Sequence, residues 1–292
     1  MGAGVFAMAG VAAKHAGPSL CLSYLISGII AMFTSMMYAE LSSRIPINGS
    51  AFSYTYVKFG ELPAWIIGWS MDIKSTLTAG ALARGVESYL TGLIKKFGAD
   101  VPKWMEGVSV FGIEDCSIVC LIFIFLLTFI YTRGTSESKI FNTILTTLKI
   151  TTLLMINLIG LSQFKISRFE PFLLEERDGL KGTLNGATIV FFGYIGFDFI
   201  TILYPQAKKP AQNVPFAVKC STSCVMAIYL VTAISLTGLA RLQDFTPETA
   251  IADAFEAEGF SFVSYIIYFS ALFGITVGCF TLIMATPQLL QV

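Results

Sequence analysis

Apolar residues along this chain come in blocks long enough to cross the roughly 30 Å hydrocarbon core of a bilayer, a distance that takes about 20 residues of helix. Seven such runs cover 18–41, 62–94, 116–132, 141–161, 186–203, 214–240 and 260–286, with 3–13 as a half-span in front. Lipid offers no water to backbone N–H and C=O groups, so each run must be helical, or be buried in protein where it is not. Asp72, Lys74, Arg84 and Glu87 interrupt the second run. The pattern predicts an all-α polytopic membrane protein.

Composition agrees. Hydrophobic residues make up 55% of the chain and charged residues 13%, and the mean hydropathy is +0.73, more than a soluble domain of this size can hide. The formal net charge is zero, so no global basic signal points to nucleic acid. Local charge is more useful. If the half-span exits outward, the inner loops hold Arg44, Lys58, Arg133, Lys139, Lys208, Lys209 and Lys219 against Glu40, Glu61 and Glu137, and the outer loops are acid-rich, most of all over 244–258. That orientation follows the positive-inside rule. The start of the chain lacks the basic region and cleavage site of a signal peptide.

Enzymatic and metal chemistry find little support. Cys116/Cys120 and Cys220/Cys224 are spaced four apart on helix faces, but the single histidine, His15, lies elsewhere, so packing explains them better than a metal site. The opening "GAGVFAMAG" is glycine-rich, yet it follows no strand and lacks the lysine of a phosphate-binding loop. No cofactor is expected. Asn48-Gly49-Ser50 fits a glycosylation sequon but falls on the inner side of this topology.

Glycine punctuates two places: Gly2, Gly4 and Gly10 in the half-span, and Gly193 with Gly196 in "FFGYIGFDFI". A helix break inside a membrane frees polar groups at a cost of several kcal/mol each unless something meets them. Paired breaks in two halves of a chain are the sequence pointer to an inverted-repeat transporter with a midplane site. Three intramembrane charges strengthen that reading. Lys149 sits deep in "LTTLKITTLLMINLIG", where a charge costs about 2.5 to 3.5 kcal/mol on insertion scales. Asp198 follows the second break, and Lys74 lies inside the second span. These two either pair with each other or meet water in a cavity.

The blocks "GAGVFAMAG", "AGPSLCLSYLISGI", "YAELSSRIPINGSAFSYTYVKFGELPAWIIGW", "GTSESKIFNTILTTLKI", "FFGYIGFDFI" and "KKPAQNVPFAV" resemble, in order, the amino acid/polyamine/organocation superfamily, most closely its cationic amino acid transporter branch. The resemblance implies a five-plus-five inverted-repeat fold, here incomplete: 1–163 as the first repeat, 164–185 as an extracellular loop, and 186–292 as part of the second. It implies an L-amino acid held between unwound helices 1 and 6. The backbone N–H groups of Gly2, Ala3, Gly4 and Val5 would hold its carboxylate, and carbonyls around Phe192, Gly193 and Ile195 would face its ammonium. A half-helix N-terminus suits a carboxylate, and freed carbonyls suit a cation. Phe192 matches an aromatic that closes over substrate, and Lys149 matches a lysine that stands where sodium-coupled relatives bind their ion, making it the expected proton carrier.

Departures from the family pattern shape the expectation further. Lys74 stands where the branch usually has an acid, and Pro205 and Gln206 stand where it has an acidic pair. A lysine near the cavity repels a cationic side chain, so neutral amino acids are the expected substrates. The first half of helix 1 and everything after helix 8 are missing from the pattern, so the chain is expected to be truncated at both ends. The expected function is secondary amino acid transport by alternating access in the plasma membrane. The alternative is a non-transporting sensor, or a regulatory partner associated with a full-length homologue.

Overall fold

The computed structural model describes residues 3–45, 47, 50–105, 108–110, 113–132, 138–173, 179–202, 207–241 and 245–290. The half-span forms α1 (Ala3–Phe6) and α2 (Met8–Ala16), interrupted at Ala7. Six of the seven apolar runs each carry one helix: α3 (Leu20–Arg44), α5 (Glu61–Lys96), α6 (Ile118–Thr132), α7 (Ser138–Ser162), α10 (Pro210–Leu239) and α12 (Ser261–Leu290). The run at 186–203 is broken. It gives the end of α8 (Leu180–Phe191), a tight turn at Phe192–Tyr194, and α9 (Phe197–Ile202).

Among the described residues, four stretches, Gly4–Arg44, Thr143–Ser162, Pro210–Leu239 and Ser261–Met284, are long and apolar enough to cross a membrane. Helix α5 is longer, at 36 residues, or about 54 Å at about 1.5 Å per residue. Its ends therefore reach past the hydrocarbon core, where Glu61, Lys95 and Lys96 meet a polar setting. Trp65 and Trp69, 61% and 54% exposed, stand near its start, as aromatics do at a membrane boundary. Large apolar side chains such as Phe33, Met37, Phe125, Phe216 and Phe262 face outward, which suits lipid and not water. The protein is an all-α polytopic membrane protein.

Several short elements lie outside the predicted runs. Helix α4 (Ala51–Phe59) precedes α5, a short antiparallel hairpin pairs β1 (Val108–Val110) with β2 (Ile113–Cys116), and α11 (Ala250–Ala257) lies between α10 and α12. All are too short to register in a search for span-length apolar blocks.

The helices pack in matched pairs: α2 against α8, α3 along α10, and α5 along α12. Lipid tails are as apolar as leucine, so helix association there relies on close packing of small residues and on interhelical hydrogen bonds. Ser19 at the cap of α3, and Ser23 and Ser27 within it, spaced four apart, show this. Their hydroxyls bond to the Thr183 hydroxyl (2.6 Å), donate to the Thr183 carbonyl (2.8 Å) and donate to the Ala187 carbonyl (2.5 Å) of α8.

Polar contacts fasten the two ends of the bundle. At one end, Lys96 Nζ donates to Glu256 Oε2 (2.8 Å) and Ser264 Oγ (2.5 Å) and lies 4.4 Å from the centre of the Tyr265 ring. Arg168 pairs with Glu258, the residue that follows α11 (Ala250–Ala257). At the other end, Thr201 Oγ1 donates to Ser50 Oγ (2.9 Å), tying α9 to the start of α4. Ser23→Leu, placed at a fully buried contact, is expected to cost about 1–3 kcal/mol through overpacking, whereas Ser23→Ala costs about 0.6 kcal/mol for one interhelical hydrogen bond. Thermal unfolding in detergent measures both; equal losses would show that packing does not dominate this interface.

Candidate functional site

The two glycine-marked segments meet face to face, Gly4 from α1, three residues before the interruption at Ala7, and Gly193 from the turn after α8. A Cβ added to Gly4 would stand 2.1 Å from the Cα of Gly193, and one added to Gly193 would stand 2.7 Å from the Cα of Gly4. Only two glycines permit backbones to cross this closely. After the crossing, Ile195 is extended and Gly196 takes a φ of +130°, so the chain leaves helical geometry before resuming at Phe197.

The carbonyls near the breaks find partners. Gly4 O accepts from the Tyr24 hydroxyl at 3.0 Å, Phe6 O from Tyr89 at 2.6 Å, and Gly193 O from Tyr229 at 3.2 Å. Phe192 O accepts from the Ile195 N–H at 3.3 Å. Each bond avoids the penalty of an unmet carbonyl in an apolar setting. A carbonyl keeps a second lone pair, so these groups retain acceptor capacity.

Beside the crossing lies a cavity of about 200 Å³. Gly4, Phe192, Gly193, Ile195 and Gly196 form its break-derived wall, and Lys149 enters from α7. Thr78 and Leu82 of α5, four apart, and Gly278 and Thr281 of α12, three apart, form the other wall. That spacing puts each pair on one helix face. Lys149 is only 5% exposed. No acidic side chain lines the cavity among the described residues. Five predicted positions, Gly4, Lys149, Phe192, Gly193 and Ile195, are thus brought together. Val5 is buried in the core beside them, Ala3 opens α1, and Gly2 lies outside the described residues.

Lys74 and Asp198 stand apart from that cavity and pair with each other. Asp198 is 4% exposed, its Oδ2 takes the Lys74 ammonium, and its Oδ1 is buried with no hydrogen-bond partner among the described residues. The expectation that Lys74 repels a cationic substrate does not fit this placement: the carboxylate balances its charge, and its side chain is not part of the cavity wall. Arg84 and Glu87 also pair, at 3.1 Å, and Cys120 Sγ donates to the same carboxylate at 3.3 Å. No group of three potential metal ligands exists among the described residues. Pro205 and Gln206 lie outside them.

The amino acid permease family profile matches residues 1–292, the whole chain. The chain belongs to the amino acid permease family. It is 32% identical over 296 residues to the methylthioribose transporter of Bacillus subtilis (strain 168), covering 99% of this chain and 62% of that protein. It is 31% identical over 282 residues to cationic amino acid transporter 9, chloroplastic, of Arabidopsis thaliana, covering 94% and 49%. The branched-chain amino acid permease BcaP of Bacillus subtilis (strain 168) is 27% identical over 280 residues, covering 94% and 60%. The chain thus spans about half to three-fifths of the length of these relatives, all named as transporters or permeases and none as an enzyme.

The Lys74 and Asp198 pair yields a direct expectation. Removing one partner strands a buried charge, a loss of about 3–5 kcal/mol when the pair is fully buried and less where, as here, the lysine is partly exposed. Lys74→Met should therefore destabilise more than the double variant Lys74→Met/Asp198→Asn, as read by unfolding in detergent. A double variant less stable than Lys74→Met would show that the pair does not hold α5 to α9 through charge.

Proposed function

We propose that this chain forms the substrate-binding portion of a secondary amino acid transporter working by alternating access. The observation that carries the reading is the cavity where two helix breaks, an intramembrane lysine and two flanking helices converge. Its volume suits one small molecule. The amino acid carboxylate lies toward the N–H groups of Gly2, Ala3, Gly4 and Val5, and its ammonium toward the carbonyls near Phe192, Gly193 and Ile195. Both carry partial charges of the needed sign, and Phe192 closes over the side chain.

The substrate is neutral. Lys149 supplies a cation at the cavity wall, and no acidic side chain is among the described residues that line the cavity, so a second positive charge on the substrate meets repulsion there. Lys149 is also the proton carrier, taking up a proton on one side of the membrane and releasing it on the other. The pairings of α2 with α8, α3 with α10 and α5 with α12 support 1–163 and 186–292 as two related repeats joined by 164–185. The plasma membrane is the residence favoured by resemblance. Relatives named chloroplastic and vacuolar make fractionation the deciding test.

The functional test is uptake into liposomes holding the purified protein, with neutral, cationic and anionic amino acids and methylthioribose as candidates. Neutral amino acids are expected to enter fastest under an inward proton gradient, and Lys149→Ala is expected to reduce uptake to the level without a gradient. Gradient dependence that survives Lys149→Ala would overturn the coupling role. Binding without flux would instead favour a sensor, or a partner of a full-length homologue. Preferred uptake of methylthioribose would overturn the amino acid assignment.

A further inference from the structure

The tyrosines that meet the broken backbones repeat a pattern. Tyr24 stands on α3, which follows the first break, and donates to Gly4 O; Tyr229 stands on α10, which follows the second, and donates to Gly193 O. Helices α3 and α10 pack together, and the two rings meet edge to face with centroids 5.8 Å apart. Tyr194, inside the second break, closes the arrangement. Its hydroxyl donates to the backbone carbonyl of Tyr24 at 3.0 Å, and its ring lies 5.2 Å from that of Tyr229. All three tyrosines are at most 5% exposed.

The cavity wall contains no residue of α3 or α10. The tyrosines hold Gly4 and Gly193 by carbonyls directed toward those helices, while the same glycines border the cavity. In a planar trans peptide the C=O and the next N–H point in opposite directions. Each hydroxyl therefore fixes the direction of one N–H, that of Val5 or of Tyr194, away from the tyrosine that grips the carbonyl.

We propose that Tyr24, Tyr194 and Tyr229 form a closed clasp of positioning residues that sets both broken backbones together, so that loosening one break loosens the other. This deepens, and rests on, the reading of the cavity as the substrate site. The link runs from Gly4 through Tyr24 to Tyr194 and Tyr229, on to Gly193, and back to Gly4 by direct contact. Tyr89 provides an internal comparison. It donates to Phe6 O but packs on Tyr268 instead of on the clasp, so its hydroxyl serves one break only.

The test is amide hydrogen exchange of the full chain in lipid nanodiscs without substrate, following segments 3–8 and 190–197. Tyr24→Phe and Tyr229→Phe keep the rings and remove one hydroxyl each. Each is expected to raise exchange in both segments by about threefold, the scale of one interhelical hydrogen bond inside a membrane. Tyr89→Phe is expected to raise it only in 3–8. If Tyr24→Phe does not fold, Tyr229→Phe tests the clasp from the other side. Exchange that rises only in the segment each tyrosine touches, or in neither, overturns the proposal. Neutral amino acids added to the unsubstituted protein probe the site itself. If they slow exchange in neither segment while both clasp variants loosen both, the clasp stands and the substrate-site reading fails.

Discussion

A polar backbone group that lipid cannot solvate is the constraint on which the rest of this structure depends. Uninterrupted helix meets it automatically, which is why the apolar runs are helical. Two interruptions depart from it, at Ala7 just after Gly4 and at the turn that holds Gly193, and the molecule answers by pressing Gly4 against Gly193 and supplying hydroxyls from neighbouring helices. The close approach requires glycine, the hydroxyls require buried tyrosine, and their combined geometry leaves the cavity on the far side. Matched helix pairs then hold the arrangement, with serines on α3 reaching into α8.

Electrostatics separates two roles. Lys74 and Asp198 neutralise each other and tie α5 to α9. Lys149 instead places its charge at the cavity wall. A buried ion pair contributes little net stability but is costly to break, which suits a contact between a long helix and a six-residue segment beyond a break. Placement at the cavity wall is what the proposed proton-carrier role of Lys149 requires.

Much of this was legible in the residues because lipid makes coarse patterns decisive. Span-length apolar blocks gave the helices, glycine clusters marked both breaks, and Lys149 stood out as a charge in an apolar run. The opposite cavity wall was not legible: Thr78, Leu82, Gly278 and Thr281 are ordinary membrane-helix residues, and only the packing of α5 along α12 brings them to the site. The tyrosines were hidden for a similar reason, since hydroxyls 20 and 36 residues from their glycines follow no local spacing rule. Lys74 shows the limit of reading charge by position: its span was evident, but its neutralisation depends on a contact across 124 residues. Helix α11 and the β1–β2 hairpin escaped because they are shorter than any membrane-spanning period.

The most direct measurement is a density map of the protein in nanodiscs, bound to a rigid antibody fragment and saturated with a neutral amino acid. Density for the amino acid should lie against Gly4 and Gly193 with Phe192 and Lys149 alongside. Density confined to a separate recess lined by Lys95, Lys96, Asp253, Glu256 and Tyr268, with the cavity beside Gly4 and Gly193 empty, would contradict the assignment of the site.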